Sequence, residues 1–341
     1  MENIPFRIHS FWATLEIIST VRNFMEVVSN IDKFFSHKNS AITIGTFDGI
    51  HLGHQAIIRK LCEISKVTKI NSVLVTFDPH PQTIIKSKKK EEIRILTTIE
   101  EKKNLLQNFD LDFLFVIKFT KKFSKIDSSQ FIEDFLVNKF KAKEIVIGYN
   151  HAFGRDRKGS FDILNNLSRR FNYNITLVEP VEYKGKLISS TRIRKTLKDG
   201  EVYDVSRMLG RNYSFSGKVI KGKGIREMIN IPTANIKPYN NIKLIPKNGT
   251  YVAKILVREK MYSGLLNIGV RPTFDSKKQL SIEANIFNFN DNIYNEEMRV
   301  EVIERLRDEI KFENAEALIK QIQKDREECN RFFSKYVLKE R

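Results

Sequence analysis

From Met25 to about Arg207, short apolar runs alternate with longer stretches of helical spacing. Ile42–Ile44, Val73–Phe77, Phe113–Ile117, Glu144–Ile147 and Ile175–Val178 are apolar runs of strand length, rich in β-branched and aromatic residues. Apolar positions three and four apart predict helices near Gln55–Ser65, Thr98–Asn108, Ser128–Lys139 and Phe161–Arg170. Strand and helix in alternation predict an α/β domain, a Rossmann-like parallel sheet with helices packed on it. After Arg207 the texture changes. Phe215–Ile220, Thr250–Val257, Ser263–Ile268, Ile282–Phe289 and Arg299–Leu306 read as strands joined by short turns, with no helix between them. That pattern predicts an antiparallel β-barrel or sandwich. A closing helix is predicted from about Asn314 to Phe333, with Leu318, Ile322 and Phe333 near one face.

The expected division is therefore an extension over 1–24, an α/β domain over 25–207 and a barrel domain with its C-terminal helix over 208–341. Polar residues interrupt the apolar ones throughout 1–24, so the extension lacks the layout of a signal peptide. Met25-Glu26-Val27-Val28 reads as a natural domain start, or as the true start of translation.

Composition narrows the class. At 341 residues and 41% hydrophobic content the chain can fill two ordinary cores. No apolar run is long enough to span a bilayer. Two cysteines, Cys62 and Cys329, are too few for a disulfide framework, and a cytoplasmic location is expected. The net charge of +18 is spread over both halves. Its longest uninterrupted basic run, Lys88–Lys90, is closed by Glu91 and Glu92 and reads as a solvated loop. A positive field favours anionic nucleotides as substrates. No segment interleaves aromatic and basic residues as RNA-binding motifs do, so the expected partners are small molecules, not nucleic acid or membrane. Nothing in the sequence signals an oligomeric state.

The chemistry collects where strands end. Ile44-Gly45-Thr46-Phe47-Asp48-Gly49-Ile50-His51-Leu52-Gly53-His54 links a buried strand to a helix start. His51 and His54 are three residues apart and share one helix face. A helix N-terminus offers free N–H groups and a partial positive charge to phosphate, and Gly45, Gly49 and Gly53 permit close backbone approach. Thr76-Phe77-Asp78-Pro79-His80-Pro81 ends the second strand, held extended by its two prolines. The run from Gly148 to Gly159 carries three glycines, Asn150, His151, Phe153 and three cations, which suits a loop that packs a ring and faces phosphates. Four of the six histidines (His51, His54, His80 and His151) lie in these clusters. Ser189 and Ser190 are N-cap candidates ahead of Thr191, Arg192, Arg194 and Lys195. Those cations oppose the helix dipole, and a bound anion would compensate them.

Together and in this order, the clusters from Met25 to Arg207 resemble bacterial FAD synthetase, the adenylyltransferase half of bifunctional riboflavin kinase/FAD synthetase. His51–His54 resembles the His-x-Gly-His signature of the wider nucleotidylyltransferase superfamily. The resemblance implies that His51 and His54 contact ATP phosphates, with Gly45, Phe47, Asp48, Gly53, Ser190 and Thr191 around the nucleotide and Arg192 closing over it. It also implies that Asp78, Asn150 and Phe153 shape the flavin site. Asn150 stands where the family usually has an acidic residue.

The second half carries its own resemblance. Gly222 and Lys223 precede Pro232-Thr233-Ala234-Asn235, which is similar to the riboflavin kinase signature. Asn248-Gly249-Thr250-Tyr251, Asn267–Phe274 and Arg307-Asp308-Glu309 follow in the family's order. Thr233 and Asn235 would then hold Mg2+ and ATP, with Gly222 and Lys223 in the nucleotide loop. Strand alternation sets Ile282, Ala284 and Ile286 on one face and Glu283 on the other. A carboxylate there can take a proton from a hydroxyl, the role the family gives to a Glu at this position. Arg226-Glu227 and Asn230 depart from the Gly-Arg pair and later Gly expected before the tetrad.

The expected activity is therefore phosphorylation of riboflavin to FMN and adenylylation of FMN to FAD with release of pyrophosphate. FMN, FAD and riboflavin are substrates and products, and Mg2+ accompanies ATP. The altered loop motivates an alternative, FAD synthesis alone with a weakened kinase half. Two more distant readings are adenylylation of another phosphorylated acceptor and RNA binding on a borrowed enzyme fold.

Overall fold

Every residue of Ser40–Ile44 is buried, as expected of a strand covered on both faces of a parallel sheet. In the computed structural model, which describes residues 25–29, 38–85, 93–149, 161–221, 233–272 and 278–339, this strand is β2 at the sheet centre. Around it stand β1 (Glu26–Val28), β3 (Asn71–Asp78), β4 (Phe113–Lys118), β5 (Ala142–Gly148) and β6 (Asn174–Val178). The order is β1-β4-β3-β2-β5-β6, and all pairings are parallel. The chain leaves β2 toward β3 and β4, then returns to place β5 and β6 on its other side. Ligands in such sheets bind beyond the carboxyl ends of the strands at that switch point.

Two helical layers cover the sheet. On one face, α1 (Leu52–Thr68) and α3 (Ile99–Leu106) bring Ile58, Leu61 and Leu106 against Ala41, Leu74, Leu114 and Val146. On the other face lie α4 (Ser128–Phe131), its continuation Ile132–Lys139 and α5 (Phe161–Phe171), which pack Phe131, Leu136 and Leu164 against Ile42, Val75, Phe115 and Ile145. The Ile132–Lys139 segment is wound more loosely than an α-helix, and the Phe140 amide donates five residues back to the Phe135 carbonyl at 2.9 Å. Between β3 and α3 lies the one-turn α2 (Pro81–Ile84). The expected strands and helices of this half are present, within a few residues at their ends. β1 was not predicted, because Glu26–Val28 is too short to show a period.

A small hairpin, β7 (Glu182–Tyr183) and β8 (Lys186–Leu187), leads into α6 (Ser190–Asp199) and α7 (Val202–Leu209). The barrel follows, built of β9 (Tyr213–Ile220), β10 (Ala234–Pro238), β11 (Gly249–Val257), β12 (Lys260–Pro272), β13 (Lys278–Ile286) and β14 (Glu297–Arg307). These strands close as β10-β13-β12-β11-β14-β9, all antiparallel. β10 escaped the sequence reading because its apolar positions are few and Pro238 ends it. The terminal helix α8 (Ala315–Lys339) lays Cys329, Phe332 and Phe333 on the outer barrel face beside Val252, Leu265 and Phe287.

The two halves share one core. Ile193, Leu197, Val202, Val205, Met208 and Leu209 from α6 and α7 join Phe215, Ile236, Tyr251, Ile255 and Val300 of the barrel in a single buried cluster. The expected boundary after Arg207 falls within α7. The halves also exchange backbone hydrogen bonds: the Ile95 amide donates to the Ile242 carbonyl and the Leu244 amide to the Ile95 carbonyl, each at 2.8 Å. Leu197 is fully buried in the shared cluster. Leu197→Ala is expected to destabilise the chain by about 2–5 kcal/mol, read from the shift of its denaturant midpoint.

Candidate functional site

The carboxyl end of β2 enters a turn of unusual conformation. Phe47, Gly49 and Ile50 all have positive φ, at 44°, 93° and 39°. Its φ makes any side chain at Gly49 strained, and a Cβ there would also press on Leu96 Cδ1 at 3.0 Å. Strained backbone persists only where its surroundings over-determine it, and here they do. The Thr46 carbonyl accepts from Lys102 Nζ at 2.7 Å and from Thr76 Oγ1 at 3.2 Å. The Asp48 carbonyl accepts from Ser190 Oγ at 2.8 Å. Arg211 donates to the carbonyls of Gly49 at 2.6 Å and Ile50 at 3.1 Å, and Gln55 Nε2 also donates to Ile50 at 3.0 Å.

The Asp48 side chain does the same from within. It is 1% exposed. Its carboxylate accepts the Leu96 amide (2.9 Å), the Thr97 amide (2.9 Å) and the Arg194 guanidinium. Thr97 Oγ1 in turn accepts the Gly49 amide at 2.9 Å. Burial pushes the Asp48 pKa up, but Arg194, His80 and the two amides outweigh it and hold the carboxyl below its usual range. The carboxylate thus ties the turn to segment 95–97 and to α6, drawing together parts of the chain more than a hundred residues apart.

His51 is the N-cap of α1, and its Nδ1 accepts the His54 amide at 3.3 Å. That hydrogen bond requires an unprotonated Nδ1, so the neutral ring carries its proton on Nε2 and keeps a donor there. The two imidazoles stack with centroids 3.6 Å apart, and Phe47 meets His54 edge-on at 5.1 Å. Gly53 makes this possible, because a Cβ there would lie 3.3 Å from the His51 ring. His54 Nδ1 is buried and has no hydrogen-bond partner among the described residues. Burial lowers the His51 pKa to about 4 and that of His54 well below its ordinary value; the neighbouring His51 and Lys102 push His54 further the same way. His80 caps α2 through Nδ1, and burial lowers its pKa to about 4. Lys102, brought to about 8 by burial despite Asp48 and Asp78, and Arg211, brought to about 10, add buried positive charge behind the turn. Neutral imidazoles and buried cations gathered at one turn are groups suited to a polyanion.

The beginnings of α1 and α6 converge on this turn, joined through Ser190 and Arg194 to Asp48. Thr191 is exposed beside Ser190. Arg192 is occupied elsewhere: it donates to the carbonyls of Lys186 (2.6 Å), Leu187 (3.2 Å) and Tyr183 (2.9 Å) and so fastens the β7–β8 hairpin. Of the two arginines of α6, Arg194 is the one paired with the turn, through Asp48. Gly45 continues β2, its amide bonded to the Val75 carbonyl at 3.0 Å. Asp78 is exposed at the end of β3. Asn150, Phe153, Gly222 and Lys223 lie outside the described residues, as does the departure over 226–230. The sequence reading missed Lys102, Arg211, Thr97 and Gln55. Lys102 carried one usable signal, a cation three residues from a branched apolar face of α3; Gln55 directly follows the His51–His54 motif, and Thr97 and Arg211 sit in segments with no motif.

In the barrel, register builds a polar belt. Asn235 on β10 stands opposite Glu283 on β13, Glu283 opposite Asn267 on β12, Asn267 opposite Thr250 on β11, and Thr250 opposite Arg307 on β14. Directly paired residues share a face of the sheet. Ile282, Ala284 and Ile286 point into the barrel core as the alternation predicted, and Glu283 lies on the other face. Yet Glu283 is only 4% exposed, and Ser281 Oγ donates to its carboxylate at 3.2 Å. Thr233 precedes Asn235 by two residues at the start of β10. At the far end of the belt, Arg307 is gripped by buried Asp325 of α8 through Nε at 2.9 Å and Nη2 at 2.6 Å. Glu309 accepts from Asn248 Nδ2 at 3.2 Å and from the Val270 amide at 3.3 Å.

Comparison with known proteins matches both halves of the chain. The family model for FAD synthetase matches residues 34–192, and that for riboflavin kinase matches residues 209–333. A Buchnera aphidicola (subsp. Schizaphis graminum) protein named bifunctional riboflavin kinase/FMN adenylyltransferase is 37% identical over 310 residues, 90% of this chain and 97% of its own. A Bacillus subtilis protein of the same name is 34% identical over 298 residues, 86% of this chain and 93% of its own. A Streptococcus pneumoniae crystal structure described as a macrolide-efflux protein has a TM-score of 0.80 at 28% identity, covering 89% of this chain and 98% of that one. Among the described residues, no helix is long and apolar enough to cross a membrane.

Two outcomes follow from the electrostatics. Asp48→Ala leaves Arg194 without its buried partner and is expected to destabilise the fold by about 3–5 kcal/mol in chemical denaturation. The histidines bind protons less readily folded than unfolded, so the unfolded chain holds more protons between their ordinary 6.5 and about 4. Stability is expected to be complete above pH 6.5 and to fall as the pH drops toward 4. The fall should be shallower in His51→Gln, as followed by denaturant midpoints across that range.

Proposed function

The chain belongs to the family of bifunctional riboflavin kinase/FMN adenylyltransferases, and on that premise we propose how its two sites divide the work. It phosphorylates riboflavin to FMN with ATP in the barrel and adenylylates FMN to FAD with a second ATP in the α/β domain. Both domains are matched, and full-length relatives carry both activities in their names, which favours the two-step reading over FAD synthesis alone.

In adenylyl transfer an FMN phosphate oxygen attacks the α-phosphorus of ATP, and pyrophosphate leaves. The nucleophile is already an anion, so the protein's task is alignment and charge stabilisation. The observation that carries this assignment is the convergence of the α1 and α6 beginnings on one turn backed by Lys102, Arg194 and Arg211. His51 and His54 donate to the phosphates from the start of α1, and the approach of a polyanion raises their affinity for protons. Gly45, Phe47 and Gly53 bring backbone close to the nucleotide. Thr191, exposed at the start of α6, completes the phosphate contact, with Arg192 orienting the adjoining hairpin. Asp48 acts by holding the turn. Asp78 at the end of β3 contributes to flavin binding, a role the resemblance also gives Asn150 and Phe153.

In the kinase step, the γ-phosphoryl of ATP passes to a riboflavin hydroxyl. Glu283 accepts the hydroxyl proton. Asn235, opposite Glu283 at the end of the belt, and Thr233 two residues before it are hard oxygen donors, a donor set that suits Mg2+ with ATP. Bound there, Mg2+ supplies charge neutralisation on the phosphates. The resemblance gives Gly222 and Lys223 a role in nucleotide binding. The two cysteines, both free thiols, fit a cytoplasmic enzyme.

The decisive assay incubates purified protein with riboflavin and Mg–ATP and resolves FMN and FAD by chromatography over time. Wild type should form FMN and then FAD. His54→Ala should lower FAD formation by roughly 10²–10³-fold while FMN accumulates. Glu283→Ala should block FMN formation yet still convert supplied FMN to FAD. Equal loss of both activities in either folded variant rules out this division of labour.

A further inference from the structure

We propose that Lys243, a barrel residue, is a positioning residue for adenylyl transfer in the other domain. The inference rests on the reading of the His51–His54 turn as the adenylyl-transfer site. Lys243 lies between β10 and β11 and is 3% exposed. Its ammonium donates to the Leu96 carbonyl at 2.6 Å and to Glu101 Oε2 at 2.6 Å, and it lies 4.7 Å from the centre of the Tyr213 ring. Both polar partners belong to the α/β domain. Its backbone is held in place by the parallel bridge between Ile95 and Lys243.

Each partner leads to the phosphate turn by a short path. The first runs along segment 95–97. The residue whose carbonyl Lys243 holds, Leu96, donates its own amide to Asp48, and Thr97 donates to Asp48 and accepts the Gly49 amide. The second runs through α3. Glu101 closes the start of that helix in a reciprocal capping box with Thr98. The next residue, Lys102, holds the Thr46 carbonyl and the Thr76 hydroxyl. One barrel ammonium therefore braces both the arm that grips Asp48 and the helix that grips Thr46. An apolar side chain would fill the same interface without removing a charge from water. What the lysine adds is a fixed direction for two backbone segments beneath the turn.

The test uses the full chain as wild type, Lys243→Met and the double variant Lys243→Met/Glu101→Gln. Glutamine preserves the capping box and removes the carboxylate that Lys243→Met leaves unpaired. Riboflavin phosphorylation, FMN adenylylation (kcat and the KM for ATP) and Tm are measured on each. Lys243→Met is expected to lower kcat for FAD formation at least tenfold, with less than a threefold change in KM and riboflavin phosphorylation within twofold of wild type. The double variant is expected to regain Tm but not kcat. It also decides the question alone if Lys243→Met does not fold. Unchanged FAD formation, parallel loss of both activities, or a kcat that recovers in step with Tm overturns the proposal. Failure of wild type itself to adenylylate FMN would instead overturn the reading on which it rests.

Discussion

A buried carboxylate needs partners, and the need of Asp48 organises the first site. At 1% exposure its charge is tolerable only when hydrogen-bonded and paired. Its amide partners come from residues 96 and 97 and its cation from residue 194, so the ionised side chain is stable only when strand exit, strap and second helix stand together. The positive φ values at Phe47, Gly49 and Ile50 are held in the same way. Their strain is offset by donors that reach the turn from α1, α3, α6 and the exit of α7.

Those donors also set the electrostatics. Lys102, Arg194 and Arg211 are drawn inward by oxygen acceptors and leave a positive field around neutral imidazoles. A site with fixed charges that are already paired need not reorganise when charge develops on a phosphate, which is the condition for strong electrostatic stabilisation. The barrel site is built by other means. There the register of five antiparallel strands sets Asn235, Glu283, Asn267, Thr250 and Arg307 in a row, and α8 anchors its far end through Asp325. A turn at a sheet's switch point and a belt across strands are independent solutions, yet α6 and α7 bury their apolar faces in the barrel's own core. The two sites therefore share a scaffold without sharing residues.

Much of this was legible in the sequence for local reasons. Alternation of β-branched runs with helical spacing is a property of neighbouring residues, so the parallel sheet and the barrel could be read from it. His51 and His54 were legible because a helix start imposes fixed spacing, and Glu283 because strand alternation separates it from Ile282 and Ala284. β1 and β10 were too short or too weakly patterned for a period to emerge. The choice between Arg192 and Arg194 was also hidden. Both follow Ser189 in the first turns of α6, and only the arrival of Asp48 on one side and the hairpin carbonyls on the other tells them apart.

What the sequence by itself determined is the list of elements, their class and the chemistry at the strand ends, because these rest on spacing over a few residues. What the tertiary structure alone decided is which charges meet. Arg211 behind Gly49 and Lys243 across the domain interface carry no local signal, and Lys102 beneath Thr46 only its place on the apolar side of α3, since a cation's partner is chosen by burial, and burial is a property of the assembled fold.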